Sequence, residues 1–155
     1  MTEEEKKEKR REYRRKWYAK NREKKLENNR KWKAANPEKR REWIAANPEK
    51  YTTKNLFHSA RNRAKAKGLP FTLTKGWVAE RVECGKCELS GISFNLEAKR
   101  GMQGPYSPSI DKIVPELGYI PENCRMILYG LNALKSTGTD EDIMNIAKAL
   151  IEYNR

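Results

Sequence analysis

Charge is laid out so unevenly along this chain that only its second half has the means to bury a core. Through residue 67 there are 24 Lys and Arg against 10 Asp and Glu, a net +14, and from residue 68 onward 10 against 11, a net −1, which together give the formal +13. Hydrophobic residues make up 37% of the 155 and charged residues 35%, so the chain has room for one small domain and an appendage rather than a full-length core. Residues 1–67 therefore read as a basic arm and residues 68–155 as a domain able to fold. An arm of this charge favours a polyanion, because neutralising phosphates releases condensed counterions. A solubilising, solvated tail fits the charge equally well.

The arm carries a weak repeat. Trp32-Lys-Ala-Ala-Asn-Pro-Glu-Lys39 recurs as Trp43-Ile-Ala-Ala-Asn-Pro-Glu-Lys50, and a looser copy, Trp17-Tyr-Ala-Lys-Asn-Arg-Glu-Lys24, precedes both. In each copy an Asn can end one helix and cap the next. Pro37 and Pro48 suit a first helical position, and Glu38 and Glu49 fall in the dipole-favoured first turn. The pattern predicts short helices broken near Asn21, Asn36 and Asn47, the last running from about Pro48 to Lys67 and stopping at Gly68. With aromatics but few aliphatics, the arm cannot bury much on its own. Arg14, Arg15, Trp17, Trp32, Arg40, Arg41, Trp43, Arg61 and Arg63 are its candidate nucleic-acid contacts, basic side chains interleaved with rings. A polar helical stalk stapled by its Trp residues is the plainer alternative.

In the second half, Leu69–Leu73 reads as a short extended segment. A helix from Thr74 to about Val82 follows, with Trp77, Val78, Arg81 and Val82 at helical spacing. Cys84-Gly-Lys-Cys87 leads to a turn at Gly91, after which Ile92 and Phe94 alternate inward as a strand would. Residues 97–108 read as loop. Thr139 with Asp142 is a capping signature, and Ile143, Ile146, Ala147, Leu150 and Ile151 then share one helical face, expected to be core. Asp140, Glu141 and Asp142 fit the helix N-terminus without chemistry of their own.

Between these lies the most informative stretch: a strand over Ser109–Ile113, a turn at Gly118-Tyr119, a return strand over Cys124–Leu128, and a helix over about Tyr129–Ser136. A hairpin and one helix are too small to be stable alone, so the helices around Trp77 and Ile146 are expected to complete the core. The fold class expected is α+β and mostly helical.

The run Pro108-Ser-Ile-Asp-Lys-Ile, then Pro115, Gly118-Tyr119, Asn123, Arg125 and the Asn132, Lys135 pair resembles a widespread group of phage and bacterial HNH-like (His-Me finger, ββα-metal) proteins. Cys87, Ser90-Gly91 and Phe94 look like the element preceding that motif, and the resemblance covers roughly residues 70–150. A basic, repeat-like N-terminus is also similar to what such proteins carry. The resemblance implies a hydrolase that cleaves DNA with a single divalent metal. Residue by residue, Asp111 matches the metal-binding Asp, Asn123 the Asn that orients the base, and Asn132 the helix metal ligand, with Mg²⁺ or Mn²⁺ as the ion such oxygen donors suit. Arg125 and Lys135 become candidate phosphate contacts.

Lys112 stands where that family has its general-base histidine. An ammonium whose ordinary pKa is about 10.4 accepts no proton at neutral pH. Two readings stay open: a divalent-metal-dependent endonuclease with weak or unusual catalysis in which Lys112 contacts phosphate, and a noncatalytic DNA-binding or partner-binding protein on a degenerate core. His58, the only histidine, lies in the arm. Cys84, Cys87 and Cys124 could hold zinc with His58, but the second CxxC pair of a structural zinc site is absent, and buried thiols packing as hydrophobes are the alternative. A third function class makes the arm a protein-docking platform. No run nears the roughly 18 apolar residues of a membrane span, residues 1–20 contain no signal-peptide core, and three cysteines suit reduced thiols. The expected setting is the cytoplasm, that of a bacterial host if the chain is phage-encoded.

Overall fold

The computed structural model describes residues 2–97 and 103–154. These residues form a mostly helical α+β architecture of six α-helices and one two-stranded antiparallel sheet. Contacts divide the chain into two compact units, residues 1–44 and 45–155.

The first unit is built on α1 (Glu3–Ala35), which buries none of its residues. Thr2 and Glu5 form a reciprocal capping box at its start, and Glu3, Glu4 and Glu5 occupy the dipole-favoured first turn. The break expected near Asn21 does not occur. Asn21 instead donates its side-chain amide to the Trp17 carbonyl at 2.9 Å, and the helix continues past it. The breaks at Asn36 and Asn47 do occur, and α2 (Pro37–Ala46) begins just after the first of them. The difference lies in the following residue: Pro37 and Pro48 remove an N–H and push the residue before them out of helical geometry, whereas Arg22 does neither.

The second unit starts with α3 (Pro48–Lys67), closed by Gly68 in the left-handed conformation, as its sequence predicts. Leu56, Ala60 and Ala64 repeat every four residues on one buried face. They join Trp77, Val78 and Val82 of α4 (Lys75–Cys84) in one core cluster. The packing boundary at 44/45 thus precedes the charge boundary at 67/68. The reason is that α3 is basic on its outer surface but apolar on the stripe facing α4.

Onto this helix pair packs the hairpin of β1 (Pro108–Lys112) and β2 (Cys124–Leu128), with Asp111 opposite Arg125 and Lys112 opposite Cys124. Ile110, Cys124 and Met126 point into the α3/α4 core. Ile127 and Leu128 join a second cluster with Cys87, against which Leu131 of α5 (Tyr129–Lys135) packs. The Cys84–Ser93 segment is tied to the hairpin: the Glu88 N–H donates to the Met126 carbonyl at 2.9 Å, and the Glu88 carboxylate accepts the Met126 N–H. Within that segment Ile92 is 47% exposed, contrary to its expected inward orientation, while Phe94 does pack on both clusters.

Between the strands, Gly118 has φ of +75°, and a Cβ there would lie 2.6 Å from the Pro70 carbonyl oxygen. Only glycine fits that approach, which lets the Tyr119 N–H donate to Pro70 and the Tyr119 carbonyl accept from Thr72.

The helix α6 (Asp140–Tyr153) begins at the expected Thr139–Asp142 capping box. Its apolar face is not core: Ile143 is buried, but Ile146, Leu150 and Ile151 are 40%, 58% and 58% exposed. The helix meets α5, and Arg125 of β2 holds its first residue, Asp140. The loop expected over residues 97–108 includes 98–102, which lie outside the described residues. Among the described residues no helix is long and apolar enough to cross a membrane.

This packing predicts how truncations behave. Residues 45–155 should melt cooperatively by circular dichroism, and residues 68–155, which lack Leu56, Ala60 and Ala64, should not. In the full chain Leu56→Ala should cost about 2–5 kcal/mol in urea unfolding. A cooperative transition in the shorter fragment would remove α3 from the core.

Candidate functional site

The site is built on the two faces of the hairpin, because side chains alternate across a strand. Ser109 and Asp111 point to the α5 side, where Asn132 and Lys135, three residues apart, share a helix face. Asn132 donates its amide to Ser109 Oγ at 2.8 Å and to the Ile110 carbonyl at 3.3 Å, bracing α5 against β1. Asp111 is 4% exposed. Its carboxylate accepts from Arg125 Nε at 2.9 Å and from Lys135 Nζ at 3.2 and 3.1 Å. Arg125 also makes a two-pronged contact with Asp140 at the start of α6. That contact, then burial and Asp111, act on Arg125, and the net effect raises its pKa further above the usual range. The same guanidinium holds Asp140 below the ordinary carboxylate value. Lys135 is itself buried, so two carboxylates and two cations close a balanced network among β1, β2, α5 and α6.

The other face carries Lys112. Its Nζ donates to the Pro115 carbonyl at 2.8 Å and lies 5.3 Å from the centre of the Tyr119 ring. Arg63 of α3 donates from Nε to the Tyr119 hydroxyl at 3.1 Å, so one buried tyrosine stands between two cations. Burial, followed by the nearby Lys67 charge, lowers the pKa of Lys112. Arg63, Lys67 and Lys112 line a cleft of about 710 Å³ between α3 and the hairpin, with Asp111, Asn132 and Lys135 also on its wall. Among the described residues, none of these first three is in an ion pair. Asn123 is buried below them, bonded to both the N–H and the carbonyl of Val114 and to the Gly118 carbonyl, and it fixes the loop after Lys112.

A divalent cation does not fit this arrangement. Both Asp111 oxygens already face cations, and the Asn132 amide donates to β1. An ion bound at Asp111 would meet the Lys135 ammonium, which already contacts both carboxylate oxygens, and like charges that close in a buried site repel strongly. Among the described residues no three His, Cys, Asp or Glu side chains converge as a metal site. Cys84 is exposed, whereas Cys87 and Cys124 are buried in separate clusters. Burial, reinforced by Asp111, pushes the Cys124 thiol up to about 12, so it stays protonated at neutral pH. His58 is exposed and edge-on to Phe57, and it is not among the residues lining the cleft.

Of the residues singled out from the sequence, Asp111, Lys112, Asn132, Lys135 and Arg63 come together around the cleft, and Asn123 supports its loop. Arg125 and Lys135, expected at a phosphate, are engaged by Asp111 and Asp140. Arg14, Arg15, Trp17, Trp32, Arg40, Arg41 and Trp43 lie exposed on the helices α1 and α2, and Arg61 is exposed on α3 outside the cleft lining. Sequence reasoning missed Lys67, although its place four residues after Arg63 puts both on one helix face. It also missed Asp140 as an arginine partner, because a helix N-terminus already accounted for an acid there. Asp142, not Asp140, makes the cap.

No family model matches the chain, and a comparison with curated proteins finds no match. Among solved structures, the chain is similar to one reported for DNA perturbation by the rare-cutting HNH restriction endonuclease PacI. That similarity has 22% identity and a TM-score of 0.47, covering 68% of this chain and 78% of that one.

The network should dominate stability. Asp111→Ala leaves the buried Lys135 with only the more distant Asp140 as its counter-charge, and Arg125 with Asp140 alone, and should cost about 3–5 kcal/mol in urea unfolding. Asp140 titrates lower in the folded than in the unfolded chain, so its contribution is complete above its ordinary value of 3.8 and is lost as pH falls toward its depressed value. Below pH 3.8 the wild type should therefore lose stability more steeply than Asp140→Asn, and equal slopes would contradict the pairing with Arg125.

Proposed function

We propose that this chain binds nucleic acid on a ββα core of HNH type, with a phosphodiester backbone lying in the cleft between α3 and the hairpin. The observation that carries the reading is the convergence of Arg63 and Lys67 of α3 and Lys112 of β1 on one cleft with no carboxylate paired to any of them. Three like charges held together this way need an anion, and a polyanion supplies successive charges at the right chemistry. The basic helices of residues 1–44 supply further sequence-independent affinity, with Trp17, Trp32 and Trp43 available to pack on sugars or bases. DNA is the substrate class that the HNH resemblance implies.

Phosphodiester cleavage is the second reading, and one observation favours it. Lys112 occupies the position of the general base in the resemblance, and burial beside Lys67 and Arg63 makes its ammonium more acidic than an exposed lysine. Hydrolysis would use Lys112 near the scissile phosphate with Asn123 holding its loop. Dependence on Mg²⁺ or Mn²⁺ would require the ion to displace Lys135 from Asp111.

Gel shifts across a salt series test the first reading. Affinity for duplex DNA should fall steeply with salt, and Lys67→Ala should flatten the log–log slope by about 0.9, the value of one lost phosphate contact. An unchanged slope in Lys67→Ala and Arg63→Ala would take the backbone out of the cleft. Incubating supercoiled plasmid with wild type and Lys112→Ala separates the second reading: nicking that disappears in the variant makes the chain a nuclease, and intact plasmid leaves a binding protein.

A further inference from the structure

The Lys135 ammonium sits in a cage made of oxygens. Asp111 places its two carboxylate oxygens 3.2 and 3.1 Å from Nζ, the Lys112 carbonyl lies at 3.1 Å, and an Asp140 oxygen at 3.7 Å. Carboxylates and a backbone carbonyl converging on one point are the donor set of a hard cation. Here β1, the start of α6 and the backbone beside the cleft supply those donors, and the point they surround is taken by a side chain of α5. The cation is covalently tethered, and its ammonium lies within hydrogen-bond distance of three of the cage oxygens.

We propose that Lys135 is the resident cation of this cage, standing in for a divalent metal, so that the centre is complete without any ion from solution. Charge bookkeeping supports the assignment. Asp111 and Asp140 together carry two negative charges, and Arg125 and Lys135 balance them. Removing the lysine charge would leave a net negative cage with an empty centre, which is what a divalent ion requires. Lysine suits the role because its ammonium is a compact point charge at the end of a flexible stem, closer in shape to a metal ion than a planar guanidinium is. Arg125 complements it from the strand, where its fork grips both carboxylates side-on. The inference is independent of what the cleft binds.

Manganese binding to the full-length protein tests it, read by electron paramagnetic resonance of free Mn²⁺ and by paramagnetic broadening of backbone amides. Wild type should take up no stoichiometric Mn²⁺ at sub-millimolar concentration, and the amides of Asp111, Lys112 and Asn132 should not broaden selectively. Lys135→Gln, which removes the charge and shortens the side chain by one atom, should gain a one-to-one site at least tenfold tighter than any wild-type binding. One-to-one binding by wild type that Asp111→Asn abolishes would overturn the proposal, as would a folded Lys135→Gln that binds no better than wild type. Should that variant fail to fold, the wild-type broadening decides alone: selective loss of the Asp111 and Asn132 signals overturns the proposal, and uniform spectra uphold it.

Discussion

The centre of the second unit depends on one carboxylate being compensated out of water. Asp111 is almost wholly buried, and a carboxylate in that position is stable only if cations and hydrogen bonds replace its hydration. The antiparallel register supplies the first cation by placing Arg125 directly opposite. The helix α5 supplies the second, because Lys135 follows Asn132 by three residues and so shares the face that Asn132 braces against β1. Asp140 then compensates the surplus positive charge and anchors the start of α6. One residue thereby couples two strands and two helices, and its partners cannot be exchanged singly.

The hairpin that carries Asp111 has an opposite face, and that face decides where the unit gets its core. Ile110 and Met126 pack against α3 and α4, elements from the basic and the neutral halves of the chain. The helix α3 consequently has two functions. Its stripe of Leu56, Ala60 and Ala64 is structural, while Arg63 and Lys67 on its outer surface form one wall of the cleft. Tyr119 joins the two functions: its backbone is stitched to Pro70 and Thr72, and its ring and hydroxyl position Lys112 and Arg63. Gly118 is what allows it to sit there.

Much of the local structure was legible in the sequence. The ends of α3, the start of α4, the cap of α6, both strands and the helix after them follow from Pro, Gly, Thr and apolar periodicity, which act over a few residues. The failures share a cause. Asn21 resembles Asn36 and Asn47 in its setting, yet the proline after those two, not the asparagine, breaks the helix. The apolar stripe of α6 predicts core because periodicity reports amphipathicity and says nothing about whether a neighbour is present. The end of the arm was set by charge, although burial of α3 is decided by three small or aliphatic residues that alter no charge count.

The sequence by itself determined the basic-then-neutral organisation, the positions of most helix ends, and the set of polar residues that would matter: Asp111, Lys112, Asn123, Arg125, Asn132 and Lys135. These are properties of residue type and short spacing. Only the tertiary structure decided what those residues do to one another. The same list is compatible with a metal held by Asp111 and phosphates held by Arg125 and Lys135, or with the closed network of carboxylates and internal cations found here. Which one forms depends on distances across strands and helices 14 to 24 residues apart in the chain, and charge interactions at that range are set by packing and burial rather than by order along the sequence.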